Sequence, residues 1–315
     1  MSAPTTQIRS RSTAVDRSQV YLELTKPRIT MMVLLTVAVG FFCSRAATGS
    51  PLALLHVLIG TALACSGSGA LNQYLEREVD GQMDRTRFRP LPSRRISSSA
   101  AMALGAALAV SGVVYLAATV NLLAAGLNAL TVVVYLSVYT PLKRVSPLST
   151  LAGAIPGALP PVIGWGAAAN SLGVGAAVLF AIIFLWQVPH FLAIGWMYRE
   201  DYSRAGFPML AVIDKDGDVT ARQMVVYSLA LLPVSLCLTA AGISGNVYFW
   251  CATVAGVGYF AASVSAARSR TVAGARRLLL ASVIYLPLLF GSLFFEKLIP
   301  AVVRQSGNMP TLGAK

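Results

Sequence analysis

Apolar positions run along this chain in long stretches separated by short charged segments. Six runs contain no Asp, Glu, Lys or Arg: 29–44, 46–75, 96–142, 145–198, 223–267 and 278–295, together 210 of 315 residues. A helix crossing ~30 Å of hydrocarbon needs about 20 residues. Long runs without strict alternation predict helices rather than a barrel. The runs of 47, 54 and 45 residues each hold two spans, with Asn121, Asn170 and Ser244-Gly245-Asn246 as turn points. The other three hold one each. The pattern therefore predicts an all-α, polytopic membrane protein of nine transmembrane helices, with eight or ten as the alternatives. Pro156, Pro160 and Pro161 are placed to break the fifth span, and Pro189 to kink or break the sixth.

Composition sharpens this picture. Apolar residues make up 56% of the chain and charged residues only 12%, with mean hydropathy +0.68. That excludes a disordered chain and leaves a soluble fold nowhere to bury its apolar surface. The net charge of +13 would otherwise point to nucleic acid, a partner this composition argues against. With nine spans, 21 of the 25 Lys and Arg fall on one side and four on the other: Arg45, Lys297, Arg304 and Lys315. The positive-inside rule puts the 21 in the cytoplasm. It predicts a cytoplasmic tail over 1–28, a membrane domain over 29–299 and a C-terminal tail over 300–315 on the outer side. The first 28 residues have no apolar core of a secretory signal. The expected location is the cell inner membrane, or the mitochondrial inner membrane in a eukaryote. Cys43, Cys65, Cys237 and Cys251 lie inside apolar runs without CxxC spacing and read as small buried residues.

Eleven of the 12 acidic residues lie on the cytoplasmic side, in two main clusters. Asn72, Glu76 and Asp80 are spaced i, i+4, i+8, one stripe on a helix. A carboxylate at membrane depth is costly and by default marks a functional site. Oxygen ligands on one stripe suit a hard cation, and Mg²⁺ uses one or two carboxylates beside substrate phosphates. Arg85, Arg87 and Arg89 follow at once, with forks that match phosphate oxygens. Carboxylates for Mg²⁺ beside Arg for phosphate make a diphosphate-site constellation. The plain alternatives are polar packing between helices for the stripe and a solvated loop for the arginines; Arg94 and Arg95 are read that way. Gly81 is expected to end the helix before Asp84, leaving Asp84 a helper at best. Ser66-Gly67-Ser68-Gly69 reads as close helix packing, and His56 as structural.

At this stretch the chain resembles the UbiA superfamily of intramembrane prenyltransferases. The superfamily's first motif stands here as Asn72-xxx-Glu76-xxx-Asp80, followed by Arg85-Thr86-Arg87-Phe88-Arg89-Pro90-Leu91. Tyr139-Thr140-Pro141-Leu142-Lys143-Arg144 looks like its Tyr…Leu-Lys-Arg element. Glu76, the Pro189-His190-Phe191 stretch and Asp201-Tyr202-Ser203-Arg204-Ala205-Gly206-Phe207-Pro208-Met209 resemble the branch that farnesylates protohaem; Thr25-Lys26-Pro27-Arg28 is a weaker sign. One departure stands out: Tyr198 and Tyr202 occupy positions where other branches carry Asp, which thins the second carboxylate set.

The resemblance implies a UbiA-type bundle with cytoplasmic motif loops. It implies transfer of a farnesyl group from farnesyl diphosphate to the vinyl group of haem B, giving haem O and diphosphate. Mg²⁺ is the implied cofactor, held by Asn72, Glu76 and Asp80 with Glu200 and Asp201 as second-side carboxylates. Arg85, Arg89, Lys143 and Arg144 bind diphosphate; Tyr139, Arg199 and Arg204 join the substrate site, and His190 is on the haem side. His190 has three readings there: iron ligand, propionate partner, or proton donor near the vinyl group. Its bland alternative is a structural histidine bonded to a carbonyl. Faces of Tyr74, Tyr139 and Trp186 are candidates to stabilise an allylic cation, at roughly 0.5–2 kcal/mol each. The lipid bilayer is a partner, with haem A synthase or oxidase-assembly proteins implied through the family. The competing functions are a prenyltransferase acting on an aromatic acid or quinone precursor, a membrane transporter, and a haem-handling chaperone without turnover.

Overall fold

The computed structural model describes residues 17–44 and 50–306, with side chains over 18–44 and 50–296. Residues 1–16 of the expected N-terminal tail and 307–315 of the expected C-terminal tail lie outside the described residues. All regular structure described is helical: α1 (Arg17–Thr25), α2 (Pro27–Cys43), α3 (Pro51–Asp80), α4 (Ser98–Thr119), α5 (Leu122–Leu142), α6 (Ser149–Ala169), α7 (Val174–Met197), α8 (Arg199–Arg204), α9 (Leu210–Ile213), α10 (Asp218–Ala240), α11 (Asn246–Ser269) and α12 (Val272–Ser306). Among the described residues eight helices are long and apolar enough to cross a membrane, and the bent pair α1–α2 supplies a ninth.

The turn points fall where the polar residues predicted. Asn121 caps α5, accepting from the Ala124 N–H at 2.8 Å and donating to the Gly166 carbonyl at 3.0 Å. Asn170 ends α6 in the left-handed region. Gly245 precedes α11, whose first N–H groups are met by Glu296, with Gly245 N at 2.6 Å and Tyr248 N at 3.0 Å. The single acid expected on the outer side is thus a helix cap.

Three expectations are corrected. Pro156, Pro160 and Pro161 do not break α6, and Pro189 does not break α7; both helices run through. An apolar helix tolerates Pro where packed neighbours meet the freed backbone groups. Residues 17–25, in the last part of the expected tail, are helical as α1, which packs on α3 and α4 through Leu24, Ala70, Leu91 and Ala101. Cys237 is exposed rather than buried.

Small residues set how closely the helices approach. A Cβ on Gly67 would collide with the backbone of Ala109 and Gly105, and one on Gly112 with that of Ala64 and Gly60. Gly60 and Gly67 of α3 and Gly105 and Gly112 of α4 share a seven-residue spacing, so the two backbones meet along a seam. Gly40 of α2 meets the Pro161 carbonyl of α6, and Gly164 of α6 meets the Val37 carbonyl of α2, in the same manner. α3 also packs against α2, α5 and α6.

Candidate active site

The site begins on α3. Asn72, Glu76 and Asp80 are all buried and share the predicted stripe, which ends where α3 ends, at Asp80. Burial at a helix terminus would be prohibitive for two carboxylates without partners, and each has a cation. Lys143, just past α5, donates to Glu76 Oε1 at 2.7 Å. Arg89 Nη1 lies 2.9 and 2.7 Å from the two Asp80 oxygens. Burial opposes the charge on Lys143, but the oxygens of Tyr139 and Glu76 outweigh it, so its pKa lies above that of an ordinary lysine.

The loop after α3 is built to return Arg89 to Asp80. The Thr86 hydroxyl donates to the Asp80 carbonyl at 2.8 Å, successive turns follow, and Leu91 anchors the Pro-Leu-Pro segment beneath α1. Arg95 is structural, reaching Glu23 of α1 at 3.1 Å and the Phe88 carbonyl at 2.7 Å. Arg87 lies at the surface, 3.3 Å from Asp84.

A cation that motif reasoning passed over completes the group. Lys26 precedes Pro27, which disfavours a right-handed helical backbone. It adopts φ 50 and ψ 58, and the chain bends by 46° there. Its Nζ then donates to Asn72 Oδ1 at 2.9 Å. Asn72 in turn donates to Thr140 Oγ1 at 3.2 Å, tying α2, α3 and α5 at one point. Thr140 follows a π-helical stretch, Val134–Tyr139, a feature common at functional sites. That stretch stacks Tyr135 on Tyr139 at 5.5 Å and sets Lys143 5.4 Å from the Tyr139 ring.

The second loop supplies aromatic rather than acidic contacts. Arg85 lies 5.2 Å from the Tyr198 ring and 5.8 Å from the Tyr202 ring, and donates to the Tyr202 hydroxyl at 3.2 Å. The two tyrosines that replace Asp thus hold Arg85 without neutralising it. Met83 packs against Tyr202 and Phe207, and Arg204 bridges Asp84, at 2.6 Å, to Asp201. The hydrogen bond from Arg204 lowers the Asp84 pKa. Asp84 is therefore part of a clasp between the loops.

Other predicted residues are placed differently. Arg144 is exposed and donates to the Leu75 carbonyl at 2.8 Å, bracing α3 from outside. Arg199 lies 5.3 Å from the Trp196 ring. Tyr74 packs in the α1 cluster with Arg77 over its ring at 4.8 Å, so it does not join the α3 stripe. Trp186 and His190 lie on α7 facing Ser282 of α12. Glu200 is exposed and Asp201 is committed to Arg204. Among the described residues no three His, Cys, Asp or Glu side chains form a metal-holding group, so the five predicted metal ligands are not assembled as one cage. The α3 oxygens nevertheless fit Mg²⁺, which needs only one or two carboxylates when phosphate and water complete its shell. Lys26, Arg89 and Lys143 contact the stripe, and Arg85, on the loop that follows α3, is held by Tyr198 and Tyr202; together these cations outnumber Glu76 and Asp80, a surplus suited to an anion.

Residues 33–294 match the UbiA prenyltransferase family. The chain belongs to that family. It is 48% identical to the protoheme IX farnesyltransferase of Solibacter usitatus, over 88% of this chain and 98% of the relative. It is 42% identical to that of Koribacter versatilis, over 89% and 93%. A solved digeranylgeranylglyceryl phosphate synthase shares the fold with TM-score 0.76 at 16% identity, covering 90% of this chain and 99% of that one. A UbiA homolog from Archaeoglobus fulgidus, bound to GPP and Mg²⁺, aligns with TM-score 0.64 at 16% identity over 87% and 99%. The expected bundle, family and multi-pass membrane character are thus borne out.

Proposed function

We propose that this protein transfers a farnesyl group from farnesyl diphosphate to the vinyl group of haem B, releasing diphosphate and forming haem O. The observation that carries the reaction type is the convergence of Lys26, Arg89 and Lys143 on Asn72, Asp80 and Glu76. The haem acceptor is supported by the named relatives at 48% and 42% identity. Both uncharged helix packing and a solvated loop are poor accounts of two buried, individually paired carboxylates. A transporter calls for acids and broken helices near the bilayer midplane, whereas this stripe ends at the helix terminus.

Each residue's role follows from its contacts. Asn72, Glu76 and Asp80 would hold Mg²⁺, which when bound supplies positive charge to the departing diphosphate. Arg85 and Lys26 make no direct ion pair with a carboxylate among the described residues, and they receive phosphate oxygens first. Arg89 and Lys143 exchange part of their carboxylate contact for phosphate as charge develops on the leaving group. Tyr139 presents its face beside Lys143, where the allylic fragment becomes electron-poor. The terminal vinyl carbon bonds to the farnesyl carbon as its C–O bond to diphosphate is lost; water adds to the resulting cation beside the porphyrin ring and gives up a proton to solvent, completing the hydroxyethyl group. Arg199 and Arg204 shape the second loop, with Glu200 and Asp201 beside them, and His190 is on the haem side. The motif loops face the cytoplasm of a cell inner membrane, from which farnesyl diphosphate arrives and to which diphosphate returns. Haem A synthase or an oxidase-assembly protein is the expected recipient of the product.

The test is direct. Purified protein in lipid nanodiscs receives haem B, farnesyl diphosphate and Mg²⁺, and the haem fraction is read by mass spectrometry. Farnesylated, hydrated haem is expected, and EDTA abolishes it. Asp80→Asn should stop diphosphate release while haem binding persists. Turnover on an aromatic acid but not on haem would overturn the haem reading; full turnover by Asp80→Asn would overturn the site.

A further inference from the structure

His190 is joined to its surroundings through one nitrogen only. Nδ1 lies 2.7 Å from Ser282 Oγ, and Nε2 has no hydrogen-bond partner among the described residues. The Ser282 hydroxyl has a single proton, and that proton is donated to the Leu279 carbonyl at 2.6 Å. In that arrangement Ser282 Oγ accepts from His190, which puts the proton of a neutral imidazole on Nδ1. Nε2 is left with a bare lone pair.

The ring is also fixed in orientation. Trp186, one turn earlier on α7, stacks on it with centroids 4.9 Å apart and planes at 28°. The Trp186 indole N–H donates to the Ser282 carbonyl at 2.9 Å, and Tyr259 of α11 donates to the Trp186 carbonyl at 3.0 Å. Three helices thus hold one imidazole. His190 is seven residues from the last residue of α7, about 10 Å along the helix. Phe191 meets the same imidazole ring edge-on, with centroids 5.6 Å apart.

The tautomer discriminates between the chemical readings. A proton donor or a propionate partner would need a proton on Nε2, hence a charged ring. No Asp or Glu among the described residues pairs with His190, and an unpaired charge at this depth is costly. A lone pair on Nε2, with Nδ1–H held by a neighbour, is the arrangement of a histidine that ligates a metal. Ser282 is that outer partner, and the haem iron is the metal that the acceptor brings. We infer that His190 Nε2 is the axial ligand of the substrate haem iron, with Ser282 holding the ring in the ligating tautomer. The inference rests on the haem-prenylating reading above. Coordination would set the porphyrin plane across the imidazole and so fix where the vinyl edge lies relative to the diphosphate site.

The test compares haem B with metal-free protoporphyrin IX, each titrated into wild type, His190→Ala and Ser282→Ala in nanodiscs. Wild type should give the Soret and visible bands of histidine-ligated haem. His190→Ala should lose them, regain them with added imidazole, and bind haem more weakly than Ser282→Ala does. Ser282→Ala should weaken haem binding about tenfold. Metal-free protoporphyrin should bind all three alike. Identical haem spectra in wild type and His190→Ala would overturn the inference, as would equal losses for haem and metal-free porphyrin or no haem binding by wild type. Farnesyl transfer is followed separately in the same samples. Product without histidine ligation sinks only the ligand assignment, whereas ligation without product sinks the function.

Discussion

Lys26 and the pair Tyr198 and Tyr202 show what single residues contribute that a motif does not reveal. Lys26 is one residue of a short basic string, and nothing in its neighbours points to Asn72, 46 positions later. Only the backbone at Pro27 turns it inward. A hydrogen bond to a charged group contributes about 1.5–3 kcal/mol, so Lys26→Met should lower kcat/KM for farnesyl diphosphate on the order of 10–100-fold. Lys26→Arg should recover part of that loss, and a methionine variant with unchanged kinetics would remove Lys26 from the site. At Arg85 the aromatic faces matter more than the hydroxyl. Tyr202→Phe should cost little, within about fivefold in KM for an exposed cation–π pair that remains intact. Tyr202→Asp should neutralise Arg85 and raise that KM further. Steady-state assays at fixed Mg²⁺ separate the two. The stripe Asn72, Glu76 and Asp80 was legible because helical spacing alone places it. The partners were not, because Lys143 and Arg89 reach it through turns whose path only packing determines. The expected role of Arg144 also depended on position in a string, and its actual contact is a backbone carbonyl on the outer side of α3.

At the scale of elements, polar punctuation was readable and proline was not. Asn121, Asn170 and Gly245 end or begin helices because their side chains or backbone conformations meet groups that the helix ends leave open. The prolines of α6 and α7 carry no such instruction, since neighbouring helices in an apolar medium can satisfy the displaced backbone groups. The glycine seam between α3 and α4 was anticipated only at Ser66-Gly67-Ser68-Gly69; its partners Gly105 and Gly112 appear once the helices are packed. Gly67→Val should force the two backbones apart, displace the stripe from Lys26 and Lys143, and abolish turnover. Thermal unfolding of the variant in nanodiscs should show reduced stability as well. A gentler test lies at the start of α10. Asp214 accepts from the Thr220 N–H at 2.7 Å and its hydroxyl at 2.8 Å. Burial works against its charge, but these bonds to Thr220 outweigh that and lower its pKa. A lowered carboxylate pKa contributes stability above its unfolded value, about pH 4, which is lost as pH falls through the folded value. Asp214→Asn should therefore destabilise by about 1 kcal/mol at neutral pH, with the difference from wild type shrinking in acid.

Across the whole molecule the positive charge has two jobs that composition cannot separate. The predicted nine-span topology assigns 21 of the 25 Lys and Arg to one end. Within that end, Lys26, Arg85, Arg89 and Lys143 are the cations proposed for the site, Arg95 and Arg144 brace helices, and Arg270 holds the start of α10 through the Asp216 carbonyl at 2.9 Å. Even without the four site cations the end remains far more basic than its opposite, so the orientation signal does not depend on the active site. If the positive-inside rule governs insertion, the loop carrying Arg94 is cytoplasmic and the α10–α11 turn lies on the other side. The expectation can be checked in a Cys237→Ser background, which removes the exposed native thiol. Arg94→Cys should react with a membrane-impermeant maleimide only in inside-out vesicles, and Val247→Cys only in right-side-out ones. The reverse pattern would place the diphosphate site on the outer face, where a cytoplasmic supply of farnesyl diphosphate could not reach it, and the proposed reaction would lose its donor. Agreement would instead tie three independent features to one surface: the charge asymmetry, the cation-rich end of α3, and the aqueous phase that receives the diphosphate.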